Sequence, residues 1–214
     1  MEVIKRIENF GIVPVVTINK VTDAERLGEA LIQGGLPCAE ITFRTDAAEE
    51  SIKSLSTRFP NMTVAAGTVL SSEQAEKAMA AGAKLIVSPG FNPSVAEYCL
   101  KRGYPIVPGI VTPSEIELAL TYGLNYLKFF PAEAAGGIKM IKAVSAPYSD
   151  VRFMPTGGIN TDNLGVYLSF EKVFACGGSW MVKENLISEG KFDEIKRLTE
   201  EAVSIVNKVR KAED

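Results

Sequence analysis

Short apolar runs rich in β-branched residues alternate with charged segments along the whole chain. The runs IVPVVTI, CAEITFR, TVAAGTV, LIVSPG, PIVPGIV, YLKFFPA, RFMPTGG and VFACGGS begin at Ile12, Cys38, Thr63, Leu85, Pro105, Tyr126, Arg152 and Val173. They predict eight strands, 20 to 26 residues apart from start to start. Between them, Asp23 to Gln33, Ala47 to Arg58 and Ser72 to Ala81 carry apolar residues at helical spacing. Polar start signals precede the helical stretches at Thr22-Asp23, Thr45-Asp46, Ser71-Ser72, Thr112-Pro113 and Thr161-Asp162. Glycines close several of them, at Gly34-Gly35, Gly82, Gly103 and Gly123. Eight such units without a composition break predict one α/β domain over residues 1–214, a (β/α)8 barrel. A doubly wound open sheet is the alternative, but no strand–helix junction carries G-x-G-x-x-G. Two segments fall outside the repeat. Met1 to Phe10, with Val3, Ile4, Ile7 and Phe10 at helical spacing, predicts an extra N-terminal helix over one barrel end. Lys191 to Lys211 predicts a terminal amphipathic helix with Phe192, Ile195, Leu198, Ala202, Ile205 and Val209 on its apolar side.

Composition narrows the chemistry. Of 214 residues none is histidine. That excludes the usual Ser-His-Asp and Cys-His nucleophiles and every His-ligated metal site, and it removes the commonest general base. Proton transfer must then use carboxylates, lysines, tyrosines or water, and no metal site or cofactor is expected. A net charge of −3, from 23 basic and 26 acidic residues, offers no electrostatic footprint for nucleic acid or an anionic membrane. The first ten residues hold Glu2, Lys5, Arg6 and Glu8, so no signal-peptide apolar region is expected there, and no apolar run reaches the ~18 residues of a span. Cys38, Cys99 and Cys176, odd in number and each in an apolar stretch, read as reduced thiols of a cytoplasmic protein.

In a barrel of this kind chemistry lies at the C-terminal strand ends. In the second run, alternation places Glu40, Thr42 and Arg44 on one polar face, pointing into the barrel. A Glu40–Arg44 ion pair is awkward, because their Cα atoms stand ~13 Å apart along an extended strand. In the sixth run Lys128 shares a face with Phe130. A lysine inside an apolar strand is expensive unless paired or neutral. A free lysine of pKa ~10.4 is about 1 part in 2,500 neutral at pH 7. Phe130 as an apolar wall and Arg44 as a cationic neighbour would favour the neutral form, and a drop of ~3 units would leave a quarter to a third of it reactive. That is the environment of a Schiff-base lysine. An amine locked in a permanent salt link, or pointing outward beneath a helix, would not serve. Thr68 offers a hydroxyl and Pro89 a rigid apolar wall at the ends of the third and fourth runs. Thr156-Gly157-Gly158 and Gly177-Gly178-Ser179 end the seventh and eighth, where bare N–H groups can hold a phosphate without lysine or arginine.

Over essentially its whole length the chain resembles the 2-keto-3-deoxy-6-phosphogluconate (KDPG) and 4-hydroxy-2-oxoglutarate (KHG) aldolases. Gly35 to Arg44 matches that family's glutamate strand, and Gly123 to Gly136, through Lys128-Phe129-Phe130-Pro131-Ala132, its Schiff-base strand. Gly67 to Leu70, Ser88 to Phe91, Met154 to Ile159 and Gly177 to Trp180 also look like the family. The resemblance implies that Lys128 forms the imine and Glu40 moves protons through a bound water. It implies that Arg44 and Thr68 hold the pyruvyl carboxylate while Pro89 and Phe130 pack on the pyruvyl portion. Gly157, Gly158, Gly177, Gly178 and Ser179 would take the phosphate and Thr156 a substrate hydroxyl, which leans toward the gluconate over the galactonate sugar. It further implies cleavage to pyruvate and glyceraldehyde 3-phosphate, a small keto-acid phosphate as partner, and a homotrimer. The competing readings are a phosphogalactonate aldolase, another phosphate-binding barrel enzyme (an isomerase, epimerase or synthase), and a non-catalytic phosphosugar-binding barrel.

Overall fold

The computed structural model describes residues 2–211, so Met1 of the predicted N-terminal segment lies outside the described residues. Parallel strands form a curled sheet with helices between them. The strands are β1 Ile12–Val16, β2 Cys38–Thr42, β3 Thr63–Gly67, β4 Leu85–Val87, β5 Ile106–Val107, β6 Gly109–Ile110, β7 Tyr126–Phe129, β8 Arg152–Pro155 and β9 Cys176–Gly178. The helices are α1 Glu2–Phe10, α2 Ala24–Gln33, α3 Ala48–Arg58, α4 Ser72–Ala80, α5 Pro93–Lys101, α6 Pro113–Thr121, α7 Gly137–Ser145, α8 Leu164–Leu168, α9 Glu184–Ser188 and α10 Phe192–Lys211.

One predicted strand divides. Pro108 has no N–H to give a ladder, so the fifth run becomes β5, paired with β4, and β6, paired with β7. The sheet therefore has two ladders, β5-β4-β3-β2-β1-β9 and β6-β7-β8. They meet at Pro108, whose carbonyl accepts the Lys128 N–H, and at the bridges Phe153↔Val173 and Thr156↔Gly177. The eighth run is also shorter than expected, since its ladder begins at Cys176.

Strand alternation sorts two cores. Ile12, Val16, Ala39, Ile41, Val64, Ala66, Leu127 and Phe129 meet the helices. Val13, Ala65, Leu85, Val87, Val107 and Met154 face one another inside the sheet's curl, joined by Ile4 and Ile7 of α1. Helix α10 buries Phe192, Ile195, Ala202 and Val206, together with Thr199, whose hydroxyl donates to the Ile195 carbonyl. Among the described residues no helix is long and apolar enough to cross a membrane.

Candidate active site

Glu40 and Lys128 both fall on the inner face. Glu40 stands opposite Val15 and Ala65 in the ladders, and Lys128 opposite Gly109 and Met154. Glu40 is fully buried and Lys128 is 4% exposed. The Lys128 Nζ donates to Glu40 Oε1 at 3.0 Å. Glu40 Oε2 is buried with no hydrogen-bond partner among the described residues. Gly67 makes the room for Glu40, and Gly109 makes it for the loop after β4. A Cβ at Gly67 would stand 2.2 Å from Glu40 Oε1, and one at Gly109 would stand 2.1 Å from the Pro89 carbonyl oxygen.

This geometry corrects the expected setting of the amine. Phe130 is present as a wall, its ring centroid 5.4 Å from Nζ. The charged neighbour, however, is the Glu40 carboxylate rather than Arg44. The expected cationic neighbour is thus replaced by an acidic one, at hydrogen-bond distance from the amine. The amine points inward, and its partner is the residue assigned to move protons.

Arg44 is not on the strand. Strand β2 ends at Thr42, whose hydroxyl donates to the Val16 carbonyl at 2.9 Å. The chain then turns, with the Arg44 N–H donating to the Thr42 carbonyl. Arg44 is consequently exposed at the rim and forms no salt bridge with a described residue. Thr68 follows β3 with φ 56°, a left-handed backbone in a non-glycine residue. Such a conformation costs on the order of 1–3 kcal/mol and persists only where the surroundings impose it. Pro89 follows β4, half-buried.

Above the buried pair opens a cavity of 440 Å³ lined by Val15, Thr17, Arg44, Phe130, Thr156, both glycine pairs, Ser179 and Lys183–Asn185. Phe130 and Val15 connect it to the pair below. Glu40, Lys128, Thr68 and Pro89 do not line this cavity. Gly157 and Gly158 have φ of 98° and 82°. Neither N–H makes a hydrogen bond among the described residues. Thr156 is buried and reaches across β9, where a Cβ at Gly177 would meet its hydroxyl oxygen at 2.4 Å.

Sequence reasoning missed Thr17, Lys183, Glu184 and Asn185. Lys183 puts a cation in the wall beside the glycine turns, which had been expected to bind an anion with none. Its position four residues past Ser179, outside any strand run, gave no periodic signal. Glu184 accepts a hydrogen bond from Asn19 across the mouth. Among the described residues no group of three His, Cys, Asp or Glu could hold a metal ion. Cys38 and Cys176 are buried free thiols pushed up by desolvation, and burial also raises Cys99, to about 11.

Comparison with known proteins follows the same lines. The family model for KDPG and KHG aldolase matches residues 3–198. The 2-dehydro-3-deoxy-phosphogluconate aldolase of Treponema pallidum is 47% identical over 95% of this chain and 97% of its own. The KHG/KDPG aldolase of Escherichia coli K12 is 40% identical over 90% of each. The crystal structure of KDPG aldolase from Legionella pneumophila, with pyruvate captured as a covalent carbinolamine, superposes with a TM-score of 0.90 at 38% identity, over 94% of this chain and 97% of that one.

Proposed function

The chain belongs to the KDPG and KHG aldolase family, and on that premise we propose that the buried Lys128–Glu40 pair carries its Schiff-base chemistry. The protein is a class I aldolase, a lyase that cleaves 2-keto-3-deoxy-6-phosphogluconate to pyruvate and glyceraldehyde 3-phosphate, and also 4-hydroxy-2-oxoglutarate to pyruvate and glyoxylate. The observation that carries the residue assignment is the 3.0 Å contact between a buried amine and a carboxylate with one oxygen unpartnered.

In this reading Glu40 takes a proton from the Lys128 ammonium, and the free amine attacks the C2 ketone. Glu40 returns that proton to the carbinolamine hydroxyl, which leaves as water and gives an iminium, a better electron sink than the ketone, with Glu40 a carboxylate again. Glu40 then takes the C4 hydroxyl proton, directly or through water, and the C3–C4 electrons move into the iminium. The aldehyde leaves, the enamine regains a proton at C3, and water releases pyruvate. Arg44 and Thr68 hold the pyruvyl carboxylate, and Pro89 and Phe130 flank the pyruvyl carbons. Thr156 takes a substrate hydroxyl. Gly157, Gly158, Gly177, Gly178 and Ser179 take the phosphate, and Lys183 adds the charge that backbone N–H groups alone lack. A volume of 440 Å³ suits a six-carbon phosphate.

The same proposal extends to the whole molecule. The bridges Phe153↔Val173 and Thr156↔Gly177, with the Pro108 changeover, support one closed eight-stranded barrel domain capped by α1. Three buried free thiols support a reducing, cytoplasmic setting, and the family resemblance carries the reading of a homotrimer.

Borohydride reduction in the presence of pyruvate, followed by mass mapping, tests the core claim. One stable adduct is expected, on Lys128. No adduct, or an adduct on any other lysine, overturns the assignment.

A further inference from the structure

The Gly157–Gly158 turn is braced from outside the cavity. The Glu133 N–H donates to the Gly157 carbonyl at 3.1 Å, and the neighbouring Ala132 N–H donates to the Thr156 carbonyl at 2.8 Å. A Cβ at Gly158 would stand 2.5 Å from the Glu133 Cγ, so the aliphatic part of Glu133 lies flat against the turn. Asn163 Nδ2 donates to the Gly158 carbonyl at 3.0 Å. Glu133 itself is exposed, and a free side chain there would sample many rotamers. It is pinned instead by the hydroxyl of Tyr167, which donates to Glu133 Oε1. Tyr167 is 1% exposed, on α8, so its ring is fixed by packing. Burial, and then the Glu133 carboxylate, hold the Tyr167 phenol far above its ordinary value, which keeps it a proton donor. Both atoms also lie beside the first residue of α7, with Glu133 Oε1 and the Tyr167 hydroxyl each 3.2 Å from the Cβ position of Gly137. A helix start favours a carboxylate there.

We propose that Tyr167 and Glu133 are positioning residues that hold the Gly157–Gly158 turn in register for the substrate's distal phosphate. The inference rests on the reading of that turn as the phosphate site. Neither side chain lines the cavity, and both bear on the turn from its outer side. The loop bearing Glu133 leaves β7 directly after Lys128 and Phe130. Two backbone hydrogen bonds zip it to Thr156 and Gly157. The brace therefore sets the distance between the imine carbon and the phosphate turn. A loosened brace weakens binding of the phosphate while leaving imine formation intact.

The test compares KDPG with its dephosphorylated counterpart, 2-keto-3-deoxygluconate, on the full-length enzyme. Tyr167→Phe keeps the buried ring and removes only the hydroxyl. KM for the phosphorylated substrate is expected to rise about tenfold, the worth of one hydrogen bond to a charged group. The kinetics of the dephosphorylated substrate and the pyruvate adduct on Lys128 should stay within about twofold. Glu133→Ala should reproduce this selective rise, and Glu133→Gln, whose amide oxygen still accepts from Tyr167, should rescue most of it. Equal losses on both substrates, or no change in the KM ratio in Tyr167→Phe and Glu133→Ala, overturn the proposal. A wild-type enzyme that gives no adduct on Lys128 overturns the functional reading instead, and the inference with it.

Discussion

Replacing Gly67 by alanine isolates the demand that Glu40 makes on its neighbours. Gly67 ends β3 opposite Thr42 and does not have a left-handed backbone, so alanine can adopt its conformation. The whole penalty is steric. The new Cβ would stand 2.2 Å from Glu40 Oε1, 2.6 Å from Cγ and 2.7 Å from Cδ, where ordinary contact begins at 3.4 Å. Glu40 is fully buried and has no solvent to retreat into. The carboxylate must therefore shift by about 1 Å, which stretches its hydrogen bond to Lys128 past useful length. Overpacking of this kind costs about 1–3 kcal/mol of stability. A misplacement of ~1 Å in the catalytic constellation costs ~10²-fold in rate. In Gly67→Ala, kcat is expected to fall about a hundredfold, with a urea midpoint lowered by the equivalent of about 2 kcal/mol. Pyruvate should still be trapped on Lys128, but more slowly. A variant that keeps kcat within threefold of wild type would show that the position of Glu40 does not matter to turnover.

A second glycine should behave oppositely. Gly165 lies inside α8, and a Cβ there would meet Val209 Cγ2 at 3.6 Å and Ile205 Cγ2 at 4.0 Å, ordinary contacts. Gly165→Ala should raise stability by about 0.5–1 kcal/mol, read as a higher melting temperature, and a lower one would refute the packing argument. The third prediction concerns pH. Burial tends to raise the Glu115 carboxyl, but hydrogen bonds from the Val111 and Thr112 N–H groups and the Thr112 hydroxyl outweigh it and hold the group below its ordinary value. The folded value lies below the unfolded one, so this capping box contributes fully above pH ~4.3 and loses its contribution as pH falls through the folded value. Glu115→Gln should cost about 1 kcal/mol at pH 7 by urea denaturation, and the gap to wild type should close toward pH 3. A gap independent of pH would remove the carboxylate from the cap.

What the chain pattern revealed depended on local chemistry. Gly35, Gly82, Gly103 and Gly123 were legible as helix ends, and all four have positive φ. Of the five helix-start signals, Ser71 and Thr112 accept the expected N-terminal hydrogen bonds. Thr45 instead donates to the Ile18 carbonyl, and Asn163 rather than Thr161 precedes α8. Side chains that bond locally can choose among several nearby carbonyls and N–H groups, and the choice is tertiary. Alternation correctly turned Glu40 and Lys128 inward, but it failed at Arg44 because period two ends where the ladder ends, at Thr42. The partner of Lys128 was out of reach for a different reason. Residues 40 and 128 are 88 apart in sequence, and nothing local encodes which strand faces which across the curl.

The buried pair answers its own objection. A buried ion pair is poor evidence for stability, because desolvating two charges offsets most of their attraction. Breaking one by truncation is costly, about 3–5 kcal/mol, since the remaining charge is stranded. Along the proposed reaction the nitrogen bears a positive charge as the ammonium and again as the iminium. The conversion releases only water, so charge is conserved and Glu40 is a carboxylate at both stages. In the proposed mechanism the 3.0 Å contact that pairs the resting lysine also pairs the electron sink and leaves Glu40 Oε2 to receive the hydroxyl proton. A lysine kept neutral by apolar walls alone would form its iminium unpaired in a buried site. In the proposed mechanism the pairing with Glu40 removes that cost at the step where the C3–C4 bond must break.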